Sequence, residues 1–155
     1  MNRIHAKRNS IKGVAQRLLC DPQFIGATVI GLLVVVAMRY AGLSTTQGSG
    51  NHYWGLIQFA IAFPLLEEIV FRGLIQGALL RRRRSRIGPF SLANIATSLL
   101  FVAAHLLYHT PLWAVAVFIP SLLFGYFYDR YQHLLPPILL HVLYNSVFLL
   151  LLQRS

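Results

Sequence analysis

Apolar residues in this 155-residue chain gather into long blocks instead of recurring at the spacing of an amphipathic soluble helix. A helix needs about 20 residues to cross a hydrocarbon core, and the blocks meet that length or come close. The first runs from about Phe24 to Leu43. It follows basic residues, as a signal peptide would, but its length and the lack of a small-x-small cleavage site predict a retained helix. A polar turn from Ser44 to Asn51 leads to a second block, Tyr53 to Leu80, long enough to tilt across the bilayer or bend near Pro64. The third spans Phe90 to Tyr108, the fourth Pro111 to Tyr128 and the fifth Pro136 to Leu152. Proline at the start of the last two suits a first helical turn, where its missing N–H costs nothing. The pattern predicts an all-α, polytopic transmembrane helix bundle of about five helices. It forms a single membrane domain over residues 23–155, behind an arm at residues 1–22. No internal repeat or low-complexity segment interrupts it.

Composition agrees: 56% of residues are hydrophobic and only 12% charged. The net charge of +10 raises nucleic acid as a partner, but no aromatic-interleaved basic face accompanies it, and nucleic-acid binding is set aside. Charge instead reports topology. Arg3, Lys7, Arg8, Lys12 and Arg17 precede the first block, and Arg81, Arg82, Arg83, Arg84 and Arg86 follow the second. The intervening connections carry none, and Arg130 alone lies between the fourth and fifth blocks. Since cytoplasmic connections hold the basic excess, the N-terminus is expected inside and the C-terminus outside, with Arg39 and Arg154 running against the trend. Both basic groups suit anionic lipid headgroups. The lone Cys20 cannot form an internal disulfide and reads as an inert thiol.

Within the blocks, the informative residues are those in the wrong solvent, because an ionisable group near the bilayer centre costs at least about 2.5 to 3.5 kcal/mol. Glu67, Glu68 and Arg72 lie in the second block, His105 in the third, His141 and Asn145 in the fifth. On an α-helix Glu68 stands about 40° from Arg72 around the axis and Glu67 about 140° away. Glu68 is therefore the expected ion partner, a structural salt bridge, with Gln76 placed to take further guanidinium donors. Glu67 is left for another purpose, such as a general base. Ser91, Asn94, Ser98, Phe101 and His105 form one stripe at spacings of three or four, which predicts an inward face. His105 is then either a satisfied core histidine or a reactive one. His141 and Asn145 are four apart and project together, either as a packing pair or as two donors to one oxyanion. Gly73 and Gly77 read as close helix packing. His5, His52, His109 and His133 read as solvated.

Glu67-Glu68-Ile69-Val70-Phe71-Arg72, Phe101-Val102-Ala103-Ala104-His105 and His141-Val142-Leu143-Tyr144-Asn145 resemble the EExxxR, FxxxH and HxxxN motifs of the CAAX-protease and bacteriocin-processing family, in the family's order. The similarity covers about Tyr53 to Leu152, the family's four-helix catalytic core. The resemblance implies a glutamic-type intramembrane protease. Glu67 and His105 would activate water, and His141 and Asn145 would stabilise the oxyanion. Glu68, Arg72 and Phe101 would support the site. No cofactor is expected; a zinc site on Glu67, His105 and His141 is the alternative, ranked second because no HExxH-type spacing occurs. With one helix before the core and none after, the expected substrates are exported proteins with C-terminal sorting tails or secreted peptides, more than prenylated CAAX proteins. Such substrates fit a prokaryotic plasma membrane. A non-catalytic membrane binding or immunity protein is the rival reading. An ion pathway is disfavoured because the fourth block has no acid, base or His before Asp129.

Overall fold

The computed structural model describes residues 10–40 and 57–152. The start of the basic arm, His5, the end of the first block beyond Tyr40, the polar turn Ser44 to Asn51, His52, the start of the second block at Tyr53, Arg154 and the C-terminus lie outside the described residues. The elements are α1 (Ile11–Leu19), α2 (Pro22–Tyr40), α3 (residues 58–82), strands β1 (Arg86–Ile87) and β2 (Phe90–Ser91), α4 (Leu92–His105), α5 (Pro111–Ala116), α6 (Phe118–Tyr131) and α7 (Leu135–Leu152). Each of the five apolar blocks is mainly helical over its described residues, and the all-α class holds. α2 and the combined stretch Pro111–Tyr131 are each long and apolar enough to cross a membrane; Leu92–His105 and Leu135–Leu151 are shorter apolar helices.

Local chemistry sets the boundaries. Ser10 caps α1 through Gly13 N (3.2 Å), Asp21 accepts from Gln23 N (3.0 Å) ahead of Pro22, and Ser91 caps α4 through Asn94 N (2.9 Å). His133, expected to be merely solvated, accepts from Leu135 N at 3.0 Å and opens α7. The block from Pro111 breaks at Val117, because Pro120 offers no N–H to the Ala116 carbonyl where α5 ends. β1 and β2 form a small antiparallel hairpin turned by Gly88, at φ 57°, and Pro89. The sequence pattern did not predict it.

α3 is where the structure departs most from a regular helix. Gln58–Ala62 and Ile69–Gln76 are π-helical, while Phe63–Glu68 and Gly77–Arg82 are α-helical. The π turn Gln58–Ala62 ends two residues before Pro64, where the sequence predicts a tilt or a bend.

The chain divides into two compact units, Met1–Leu66 with Ile138–Ser155, and Glu67–Pro137. In the second, Glu68, Arg72, Gln76, Asn94, Thr97, Ser98 and Ser121 are fully buried while Leu74, Leu99, Leu100, Leu112 and Ile119 are exposed. In the first, Ile25, Val29, Ile30, Leu33 and Val34 of α2 face outward. A polar interior with an aliphatic exterior inverts the arrangement that water selects. Together with the apolar helices it makes this an integral membrane protein.

Candidate active site

In the unit Glu67–Pro137 the polar groups form a layered network. Arg72 Nε lies 3.2 Å from Glu68 Oε2, and both side chains are 0% exposed. Arg72 Nη2 donates to the backbone oxygen of Ser121 (2.9 Å) and to its Oγ (2.8 Å). The network runs on through Ser121 Oγ to Ser98 Oγ (2.9 Å) and Ser98 Oγ to Asn94 Oδ1 (3.2 Å), while Asn94 Nδ2 donates to Leu122 O (2.9 Å). The guanidinium also lies over the rings of Phe101, at 5.0 Å, and Phe124, at 5.8 Å.

Gln76 does not serve Arg72, contrary to the sequence expectation. Its Nε2 donates to Gly125 O (2.9 Å) and Asp129 Oδ1 (2.7 Å), one helical turn further along α6. The reason is register: Ser121, Gly125 and Asp129 repeat every four residues on α6 and meet Arg72 and Gln76, also four apart on α3, rung by rung. Gly125 is required for this approach, because a Cβ there would overlap the Asn94 carboxamide. Arg86 of the hairpin reaches Asp129 Oδ2 at 4.0 Å. This α6 stripe was overlooked in the sequence, although its four-residue spacing was visible.

The π segment also modifies the reading of the two glutamates. A π turn closes residue i on i+5, and Gly77 N donates to Arg72 O in that manner. Residues five apart therefore come nearer to one face than the 100° step of an α-helix allows. Glu68 makes the ion pair, and the charge of Glu67 also acts on Arg72.

Phe101 joins the ion pair to His105. It is buried, meets Phe71 edge-on at 4.9 Å and lies 4.4 Å from the His105 ring. His105 Nδ1 is 2.9 Å from Phe101 O. A carbonyl oxygen can only accept, so Nδ1 carries a proton and is the nitrogen that fixes the ring to its own helix. His109, set aside in the sequence, stacks on His105 at 5.5 Å with 22° between planes. Their four-residue spacing was the available signal.

In the other unit, α7 presents His141, which is buried, and Asn145, whose Nδ2 donates to Phe59 O at 3.1 Å. Tyr144 donates to Ala27 O at 2.6 Å, and its ring occupies the space that a Cβ on Gly31 would need. The sequence-predicted site residues are thus distributed as Glu67, Glu68, Arg72, Phe101 and His105 in one unit and His141 and Asn145 in the other. Among the described residues, neither unit gathers three His, Cys, Asp or Glu into a metal-binding group.

Comparison with curated proteins and with solved structures gives no match. Residues 49–147 match the family described as Type II CAAX prenyl endopeptidase Rce1-like. With that match spanning well over half of its length and including every residue of the buried polar network, the chain belongs to the Rce1-like family of type II CAAX prenyl endopeptidases and is a protease.

Proposed function

We propose that the chain is a glutamic-type intramembrane endopeptidase that needs no metal. Glu67 takes a proton from a water molecule that His105 Nε2 holds by hydrogen bonding, and the oxygen attacks the scissile carbonyl. His141 and Asn145 donate to the resulting oxyanion. The carbon–nitrogen bond then breaks as Glu67 returns the proton to the leaving amine. Glu68, Arg72 and Phe101 hold the frame. The observation that carries this reading is the bond from His105 Nδ1 to Phe101 O, which anchors the imidazole through one nitrogen, so that Nε2 is the one this reading assigns to water.

The substrate is a membrane-held protein or peptide that loses a short C-terminal segment, the feature shared by prenylated CAAX tails and sorting tails. The exposed arginines Arg81 to Arg84 and Arg86 bind anionic headgroups at the cytoplasmic face of a prokaryotic plasma membrane, as does the basic arm.

The test uses purified protein in lipid nanodiscs with two quenched peptides, one ending in a prenylated CAAX sequence and one in a hydrophobic sorting tail. Wild type cleaves at least one. Glu67→Gln and His105→Ala stay folded and lose roughly 10² to 10⁴ in kcat, the range for a general acid–base group. No cleavage of either peptide, or a wild-type rate for Glu67→Gln, refutes the mechanism.

A further inference from the structure

The Phe59–Asn145 bond has a cause in the sequence of α3. Within the π turn Gln58–Ala62, Phe63 N donates to Gln58 O, five residues back. The next bond in that series would run from residue 64 to Phe59 O. Residue 64 is proline, which has no N–H. The carbonyl that the backbone leaves is the one that takes Asn145 Nδ2, at 3.1 Å. A polar backbone group without a donor is costly in a membrane, so α7 is held to this turn of α3 by a carboxamide in place of a peptide N–H. All three residues belong to the same unit.

We infer that Pro64 is a positioning residue for Asn145: by withholding its N–H it fixes the carboxamide through one hydrogen and leaves the other for the substrate oxyanion. A carboxamide nitrogen carries two hydrogens, and binding one of them to a rigid helix carbonyl sets the plane in which the second points. The inference deepens the proposed function and rests on it for the catalytic consequence. The link between Pro64 and Asn145 stands on the hydrogen bonding alone. Pro64→Ala supplies the missing donor whichever way the helix relaxes. If the π turn persists, the N–H gained at position 64 reaches Phe59 O; if it reverts to an α turn, Phe63 N–H does. Either way the carbonyl no longer depends on Asn145.

The experiment is a double-mutant cycle on Pro64→Ala and Asn145→Ala in nanodiscs, read by melting temperature and by kcat and KM on whichever quenched peptide the wild type cleaves. In the wild-type background Asn145→Ala strands the carbonyl and lowers the melting temperature. In the Pro64→Ala background the same substitution lowers it by less than half as much, and the cycle cancels the effect of proline on the unfolded chain. Pro64→Ala lowers kcat about tenfold with KM unchanged, and adding it to Asn145→Ala, itself down by about 10² to 10³, costs nothing more. Equal melting losses in the two backgrounds overturn the link, whether or not the protein cleaves. Melting coupling with a wild-type kcat for Pro64→Ala overturns the positioning role. An inactive wild type refutes the proposed function and the catalytic part of the inference, while the melting cycle still decides the link by itself. If Asn145→Ala is not recovered folded, the side-chain amide NMR signals of Asn145 decide: they shift in Pro64→Ala if the link holds and stay in place if it does not.

Discussion

Replacing Glu68 by glutamine removes one charge from a pair that is sealed from solvent on both sides. The amide keeps the shape and an acceptor oxygen, so the contact with Arg72 Nε survives while the countercharge does not. Breaking a buried pair by removing one partner costs about 3 to 5 kcal/mol. The Ser121 oxygens at 2.8 and 2.9 Å and the two aromatic faces still stabilise the guanidinium, which places the loss near the lower end, about 3 kcal/mol. At roughly 2 to 4 °C per kcal/mol for a chain of this size, the melting temperature falls by about 6 to 12 °C. The assay is intrinsic fluorescence melting in nanodiscs, with Trp113 in α5 as a reporter. Glu68→Gln combined with Arg72→Gln removes both charges and recovers at least half of the loss, because what destabilises the single variant is an uncompensated cation. A melting temperature within about 1 °C of wild type for Glu68→Gln, below the loss expected for even 1 kcal/mol, refutes the reasoning. So does a double variant as unstable as the sum of the two single changes.

Gly125→Ala forces a methyl group against the Asn94 carboxamide and 2.9 Å from Gln76 Oε1, and loses roughly 3 kcal/mol of stability from overpacking and displaced hydrogen bonds in the same melting assay. Peptide cleavage survives exhaustive chelation; loss of activity restored by zinc alone would replace water activation by Glu67 and His105 with a metal site. Reporter fusions at the Ser49 loop and at Ser155 both report the outer side and a fusion at Arg84 the cytoplasmic side; a cytoplasmic C-terminus would change the helix count by one.

Hydropathy and spacing by themselves determined the helical blocks, the membrane setting and the residues that demand partners. The physical reason is that the bilayer penalises every exposed backbone and ionisable group, so length, apolarity and the few misplaced charges are strongly constrained along the chain. The Glu68–Arg72 pair was legible for a related reason, since partners four apart on one helix need no knowledge of its neighbours. Tertiary structure decided what depends on a second element. Gln76 went to Gly125 and Asp129 instead of Arg72 because α6 offers acceptors at matching intervals, and an inter-helix register is not written in either helix alone. The proton position on His105 follows from its bond to Phe101 O, and the tethering of Asn145 follows from Phe59 O meeting α7. The π turns were equally out of reach, since hydrophobic periodicity is too coarse to register one extra residue in a turn. Pro64 marked where the backbone would lack a donor, but only the packing of α7 against Phe59 showed which side chain replaces it.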